Sequence, residues 1–209
     1  MIHLNEDGLT GFERCQTGKY ERRYAAIGNF LDDEFVVCGG FGKDDVRKNR
    51  CEVIDVTGKA QSFDMLANGR VYASSIKLDQ STLWITGGFD SNTNHLKSTE
   101  NVAVSGSTSG VNLPFTVWGH CMVQFQPDAI LLIGGTKNGI AYSDRTWIID
   151  PTSGFNITAG PSLKQGRIHH SCGKMKDDFG NVLVIVAGGE GMDSVEVLNT
   201  TLMKEWIKG

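Results

Sequence analysis

The sequence predicts an all-β fold made of small sheets repeated along the chain, and three observations carry that prediction. Short apolar runs ending on paired glycines occur four times: Glu34–Gly40 (EFVVCGG), Thr82–Gly88 (TLWITGG), Ala129–Gly135 (AILLIGG) and Val182–Gly189 (VLVIVAGG). Their first glycines, Gly39, Gly87, Gly134 and Gly188, return at intervals of roughly 50 residues, the spacing of a repeat array. Glu52, Glu100 and Trp147 then lie at one common distance beyond the glycines, while Glu196 lies closer, as a shortened loop requires.

Each run is apolar without alternation and too short for a helix, so it reads as a strand covered on both faces. A small sheet with such a central strand needs another sheet stacked on either side. Glycine pairs supply positive φ and permit close backbone approach. Small sheets that shield one another around an axis make a β-propeller. A sandwich of two broad sheets is the competing reading, and it does not predict doubly buried second strands.

Taken in order, residues 2–5 run through the hairpin-type turn Glu6-Asp7-Gly8 into Leu9–Cys15. Residues 1–20 read as the outer hairpin of a unit whose first half is absent. Four units follow, over about 21–66, 67–115, 116–163 and 164–209, each expected to hold four short strands running up and down. In the first, a strand over Tyr24–Leu31 precedes the glycine-terminated run, then Arg50–Asp55 and a strand after Gly58. The second repeats this from Arg70, with Val71–Leu78, Ser98–Val104 and a last strand near Val111–Phe115. The third uses Cys121–Phe125, Arg145–Asp150 and Phe155–Thr158. The fourth uses His170–Met175 and Ser194–Leu198, and ends on Glu205-Trp206-Ile207.

Composition fits many tight turns: of 209 residues, 26 are glycine and 4 proline. The net charge of −4 comes without a basic block, which gives no footprint for nucleic acid. No apolar run approaches the roughly 20 residues of a membrane helix, and the N-terminus does not read as a signal peptide. The cysteines are Cys15, Cys38, Cys51, Cys121 and Cys172, none in a CxxC. Cys38 and Cys51 fall on adjacent strands of one unit, which leaves a disulfide and buried free thiols both open. A reduced, cytoplasmic setting is the expectation. The sequons at Asn156 and Asn199 leave secretion as the alternative.

At this point the chain resembles the Kelch family of β-propellers. The resemblance rests on the four glycine pairs, Arg70 and Arg167 leading into first strands, the stretch Gly160-Pro161-Ser162-Leu163 to Gly166-Arg167-Ile168-His169-His170-Ser171, Ser194–Val197, and the late Trp206. It departs in lacking the third-strand Tyr, and in having Val117-Trp118-Gly119-His120 where an Arg is expected. Kelch rings usually close with about six blades, whereas four units and an orphan hairpin are present here. A partial ring, or a small ring completed by the hairpin, are the two expectations, with self-association to follow if the ring is open.

No catalytic motif appears: there is no GxSxG, HExxH or P-loop, and Gly39-Gly40-Phe41-Gly42 lacks the helix and Lys-Ser/Thr of a phosphate cradle. His169 and His170 point to opposite faces of a strand and do not chelate together. No cofactor and no metal is expected. Loops gathered at one end of a rigid propeller suit binding. The Kelch resemblance implies a bowl lined by arginines at first-strand starts and by residues just after the glycine pairs. Carried over, these are Arg23, Arg70 and Arg167, with Phe41, Phe89 and Glu190, and Trp118 near the missing Arg. Arginine pairs with carboxylates and aromatic–Arg clusters are common hot spots, so a protein or peptide partner, acidic in character, is expected. The alternative role for the arginines is to satisfy loop carbonyls between blades. The function expected is a non-catalytic interaction module of the scaffold or adaptor kind. The alternative is a propeller enzyme or a small-molecule or glycan binder with an axial site.

Overall fold

A computed structural model describes residues 22–30, 34–43, 48–55, 57–64, 66–103 and 105–209. The predicted hairpin over residues 1–20 lies outside the described residues. The fold is all-β: the described residues form sixteen strands in four four-stranded antiparallel sheets, the blades of a four-bladed β-propeller. Blade 1 holds β1 (Ala26–Asn29), β2 (Glu34–Cys38), β3 (Arg50–Asp55) and β4 (Ala60–Asp64). Blade 2 holds β5 (Ser74–Lys77), β6 (Leu83–Thr86), β7 (Thr99–Ala103) and β8 (Gly106–Ser109). Blade 3 holds β9 (Cys121–Gln126), β10 (Ala129–Ile133), β11 (Thr146–Asp150) and β12 (Asn156–Ala159). Blade 4 holds β13 (Ser171–Lys176), β14 (Val182–Ala187), β15 (Val195–Asn199) and β16 (Trp206–Lys208).

The four glycine-terminated runs are the second strands, β2, β6, β10 and β14. Within β6 and β10 every residue is buried, as a strand between two covering sheets must be. Successive residues face opposite neighbours. Leu83 and Ile85 of β6 join Ala26, Val36, Cys38 and Val53 in the core between blades 1 and 2. Trp84 turns the other way, to Met122, Ile130 and Leu132 of blade 3. Val123, Leu131 and Ile133 then meet Val184, Val186, Leu198 and Trp206 of blade 4. The hairpins between strands are set locally by aspartates whose carboxylates take backbone amides two residues on, as Asp55 does from Thr57 and Asp79 from Ser81.

The outer strand of blade 2 departs from expectation. The edge is Gly106–Ser109 (GSTS), paired to β7, and not Val111–Phe115. A tight turn through Ser105 brings the polar segment straight back onto β7, with Gly106 opposite Ala103, so apolar pattern was the wrong guide at a half-solvated edge. Val111–Phe115 instead runs between blades, with Leu113 buried and its amide bonded to the Lys97 carbonyl.

Among the described residues two disulfides form. Cys38 and Cys51 stand opposite one another on β2 and β3, with Cα atoms 4.1 Å apart. Cys121 and Cys172 join the first strands of blades 3 and 4, with Cα atoms 6.2 Å apart. Only the first pairing was suggested by the repeat, because the second links non-equivalent positions of separate units.

Candidate functional site

The blades meet through one joint used three times. The amide of the second glycine donates to a carbonyl of the next blade: Gly40 to Arg70 (2.8 Å), Gly88 to Val117 (2.9 Å) and Gly135 to Arg167 (2.8 Å). Two residues beyond that carbonyl, a second set of bonds steps around the axis. Tyr72 donates to Tyr24 (3.0 Å), Gly119 to Tyr72 (2.9 Å) and His169 to Gly119 (2.9 Å).

These four axial residues share a left-handed backbone, with φ of 58° at Tyr24, 57° at Tyr72, 62° at Gly119 and 56° at His169. Glycine would take that conformation without penalty, whereas each bulky L-residue there costs about 1 kcal/mol. Three blades accept the cost and place a ring at the axis. The rings of Tyr24 and Tyr72 stack at 4.3 Å, and His169 stacks on Tyr72 at 4.8 Å. Blade 3 has no ring at Gly119, but the adjacent Trp118 leans in, 5.6 Å from Tyr72 and 5.7 Å from His169. Phe89 packs on Trp118 at 4.5 Å, and Phe41 meets Tyr24 edge-on at 6.4 Å. The result is an aromatic platform at one end of the propeller, fed by all four blades.

Charged groups rim it. The Arg23 guanidinium lies 5.4 Å from the Phe41 ring and 6.0 Å from that of Tyr24. Glu190 is exposed, 3.9 Å from His169 Nδ1, and its hydrogen bond raises the Tyr142 phenol above its usual range. Partial burial lowers His169, against the opposing pull of Glu190.

Of the seven residues expected at the site, five gather here: Arg23, Phe41, Phe89, Trp118 and Glu190. Residues after the glycine pairs bridge to those before the axial position, as Arg23 with Phe41, Val71 with Phe89 and Trp118 with Thr136. Arg70 and Arg167 are corrections. They are only 1% and 0% exposed, so neither reaches a partner. Arg70 donates to the carbonyls of Gly87 and Ser98, both at 3.1 Å, and pairs with Glu100. Arg167 donates to Gly188 (2.7 Å) and Ser194 (2.8 Å) and pairs with Glu196 at 3.0 Å. Their structural counterpart in blade 1 is Arg22, which bonds Gly39 (3.0 Å) and pairs with Glu52 at 3.4 Å. Arg23 is therefore one residue out of register with Arg70 and Arg167, and that offset puts it on the surface.

The residues missed are Tyr24, Tyr72 and His169. Each stands two places after Arg22, Arg70 or Arg167, so superposing the repeats on the buried arginines would have found them.

Beneath the platform an open axial cleft of about 400 Å³ is lined by residues in or just before the first strands, including Ser75, His120, Met122 and His170. Burial pushes His120 down to about 3. His170 is lowered to about 4, by burial first and then by the charge of Arg167. Both are therefore neutral at pH 7. Thr86 Oγ1 lies 2.7 Å from His120 Nε2, while His120 Nδ1 and both nitrogens of His170 lack a hydrogen-bonding partner. Among the described residues no group of three or more His, Cys, Asp or Glu is arranged to hold a metal ion.

No family model matches the sequence, and no curated protein matches it. Among solved structures, the fold is similar to that of YjhT, over 89% of this chain and 70% of that one. The TM-score is 0.73 at 15% sequence identity, a likeness that shows the propeller fold and no more.

Proposed function

We propose that this propeller is a non-catalytic protein-interaction module of Kelch type that takes a partner peptide or protein on its aromatic end. The observation that carries the reading is the axial platform, in which Tyr24, Tyr72 and His169 are held by strained backbone where glycine would be easier and Trp118 leans in beside them. Strain retained at equivalent positions of three blades points to use of the rings they present. Rigid aromatics beside an arginine are the chemistry of binding hot spots, and Arg23 selects carboxylates at the rim.

The test is selection of a displayed peptide library on the purified chain. Peptides carrying Asp or Glu beside an apolar anchor are expected, with binding reduced at least about tenfold by Tyr72→Ala or Arg23→Ala. Retained circular dichroism and thermal unfolding would separate this loss from misfolding. Peptides that bind both variants as well as they bind the parent would refute the reading.

A second reading, a propeller enzyme or a small-molecule or glycan binder, draws on the buried and unpartnered nitrogens of His120 and His170 in the axial cleft. Shifts of both imidazole resonances by a small neutral ligand, without change at Arg23, would favour it. The two disulfides support the oxidising, secreted alternative over a cytoplasmic setting.

A further inference from the structure

The joint between blades is made three times, and its two halves recur unused at opposite ends of the described chain. Blade 4 has the glycine pair, Gly188 and Gly189, with φ of 67° and 119°. Yet among the described residues the Gly189 amide does not make the bond that Gly40, Gly88 and Gly135 make, and the His169 carbonyl receives nothing. On blade 1, among the described residues, the Tyr24 amide lacks the bond that the Tyr72, Gly119 and His169 amides make.

The first glycines report the same asymmetry sterically. A Cβ at Gly39 would lie 2.3 Å from the Arg70 carbonyl oxygen, at Gly87 2.2 Å from that of Val117, and at Gly134 2.8 Å from that of Arg167. At Gly188 it would meet nothing closer than 3.8 Å among the described residues. The cradle that a following blade fills in blades 1–3 is thus present on blade 4 without a described neighbour in it.

The sheet faces agree. Residues of the second strands that look toward the following blade are buried in blades 1–3: Val36, Cys38, Trp84, Thr86, Leu131 and Ile133. Their counterparts Ile185 and Ala187 are half-exposed, beside Ile207 at 65% exposure. On the opposite face, Leu83, Ile130 and Val184 are fully buried against the preceding blade, whereas Phe35 is 40% exposed and Ile27 61%. Each end thus presents an apolar sheet of the shape that the other end would cover.

We propose that blade 4 takes blade 1 of a second copy of this chain, head to tail, through the joint that already links blades 1 to 2, 2 to 3 and 3 to 4. Ile185 and Ala187 then pack on Phe35 and Ile27 of the neighbour, and the Gly189 and Tyr24 amides gain carbonyl acceptors. Such a contact is heterologous, using different surfaces on the two copies.

The test is sedimentation velocity on the full chain over a range of concentrations, with Ile185→Asp and Phe35→Asp as variants. The parent is expected to form species heavier than the 22.8 kDa monomer as concentration rises. Each variant alone is expected to stay monomeric, while an equimolar mixture of the two forms a dimer and nothing larger, since one intact face remains on each. Circular dichroism checks the fold, and Ile207→Asp with Ile27→Asp, both already exposed, replace any variant that fails it. A parent monomeric at every concentration would overturn the proposal, leaving the faces bare or covered by residues 1–21 of the same chain. Self-association of Phe35→Asp alone would also overturn it, by showing a symmetric blade 4 contact.

Discussion

Blades 3 and 4 are led in by different chemistry at the same place. Before blade 4, Arg167 is sealed from solvent, paired with Glu196, and bonded to the carbonyls of Gly188 and Ser194. Before blade 3 the corresponding residues are Val117, in the apolar core shared with blade 2, and Trp147, packed against that core. Yet the joint is the same in both, with the second glycine's amide on the lead-in carbonyl at 2.9 Å for Val117 and 2.8 Å for Arg167. The ion pair is therefore one of two ways to fill the same space, and the glycine–carbonyl bond is the constant part. Buried ion pairs generally behave so: exchange for a packed apolar pair is often neutral, while loss of one partner is costly.

That contrast can be broken most forcefully at Arg167. Arg167→Ala strands the Glu196 carboxylate and two carbonyls in a dry site, and unfolding by denaturant should show a loss of about 3–5 kcal/mol. Arg167→Val with Glu196→Trp copies blade 3 and should recover most of that loss. A double variant as unstable as the single would show that blade 4 depends on the charge itself.

Next in size is a comparison of glycines. Gly87→Ala drives a methyl into the Val117 carbonyl in a left-handed backbone, and should cost about 2–4 kcal/mol from overpacking and strain together. Gly188→Ala meets only the backbone penalty, about 1 kcal/mol. Equal losses in the monomer would mean that the joint is not what demands glycine at these positions.

The last comparison, spread over two side chains, is the effect of pH on the axial histidines, which blades 3 and 4 carry where blades 1 and 2 have Ala25 and Ala73. The folded-state values, about 3 for His120 and about 4 for His170, lie below the ordinary 6.5. The unfolded chain therefore binds more protons in between. Their stabilising contribution is full above about pH 6.5 and falls away as pH drops toward the folded values. Between pH 7 and pH 5 the loss should be on the order of 2 kcal/mol per histidine. His120→Phe should flatten the slope of unfolding midpoint against pH, and an unchanged slope would assign the pH dependence to other groups.

Much of this was legible in the chain because glycine has little freedom of meaning. Paired glycines after doubly apolar strands marked four units and the identity of each second strand, while the number of blades in a closed ring stayed open. The post-glycine residues Phe41, Phe89 and Glu190 were also readable as lying at one end. Other features were not. Arg22 and Arg23 are the same residue type side by side, and only burial separates the one that ties carbonyls from the one that faces solvent. The edge strand of blade 2 was hidden because GSTS has no apolar face to signal pairing.

By itself, then, the sequence determined the repeat: strand, glycine pair, strand, at a period that only small stacked sheets can satisfy. The tertiary structure decided everything that arises between repeats. It put Tyr24, Tyr72 and His169 into one stack, paired Cys121 with Cys172, and withdrew Arg70 and Arg167 from the surface. The physical reason is that periodicity fixes which face of a strand is apolar, while ring stacking and carbonyl satisfaction depend on where a neighbouring blade stands, and the neighbour is about 50 residues away.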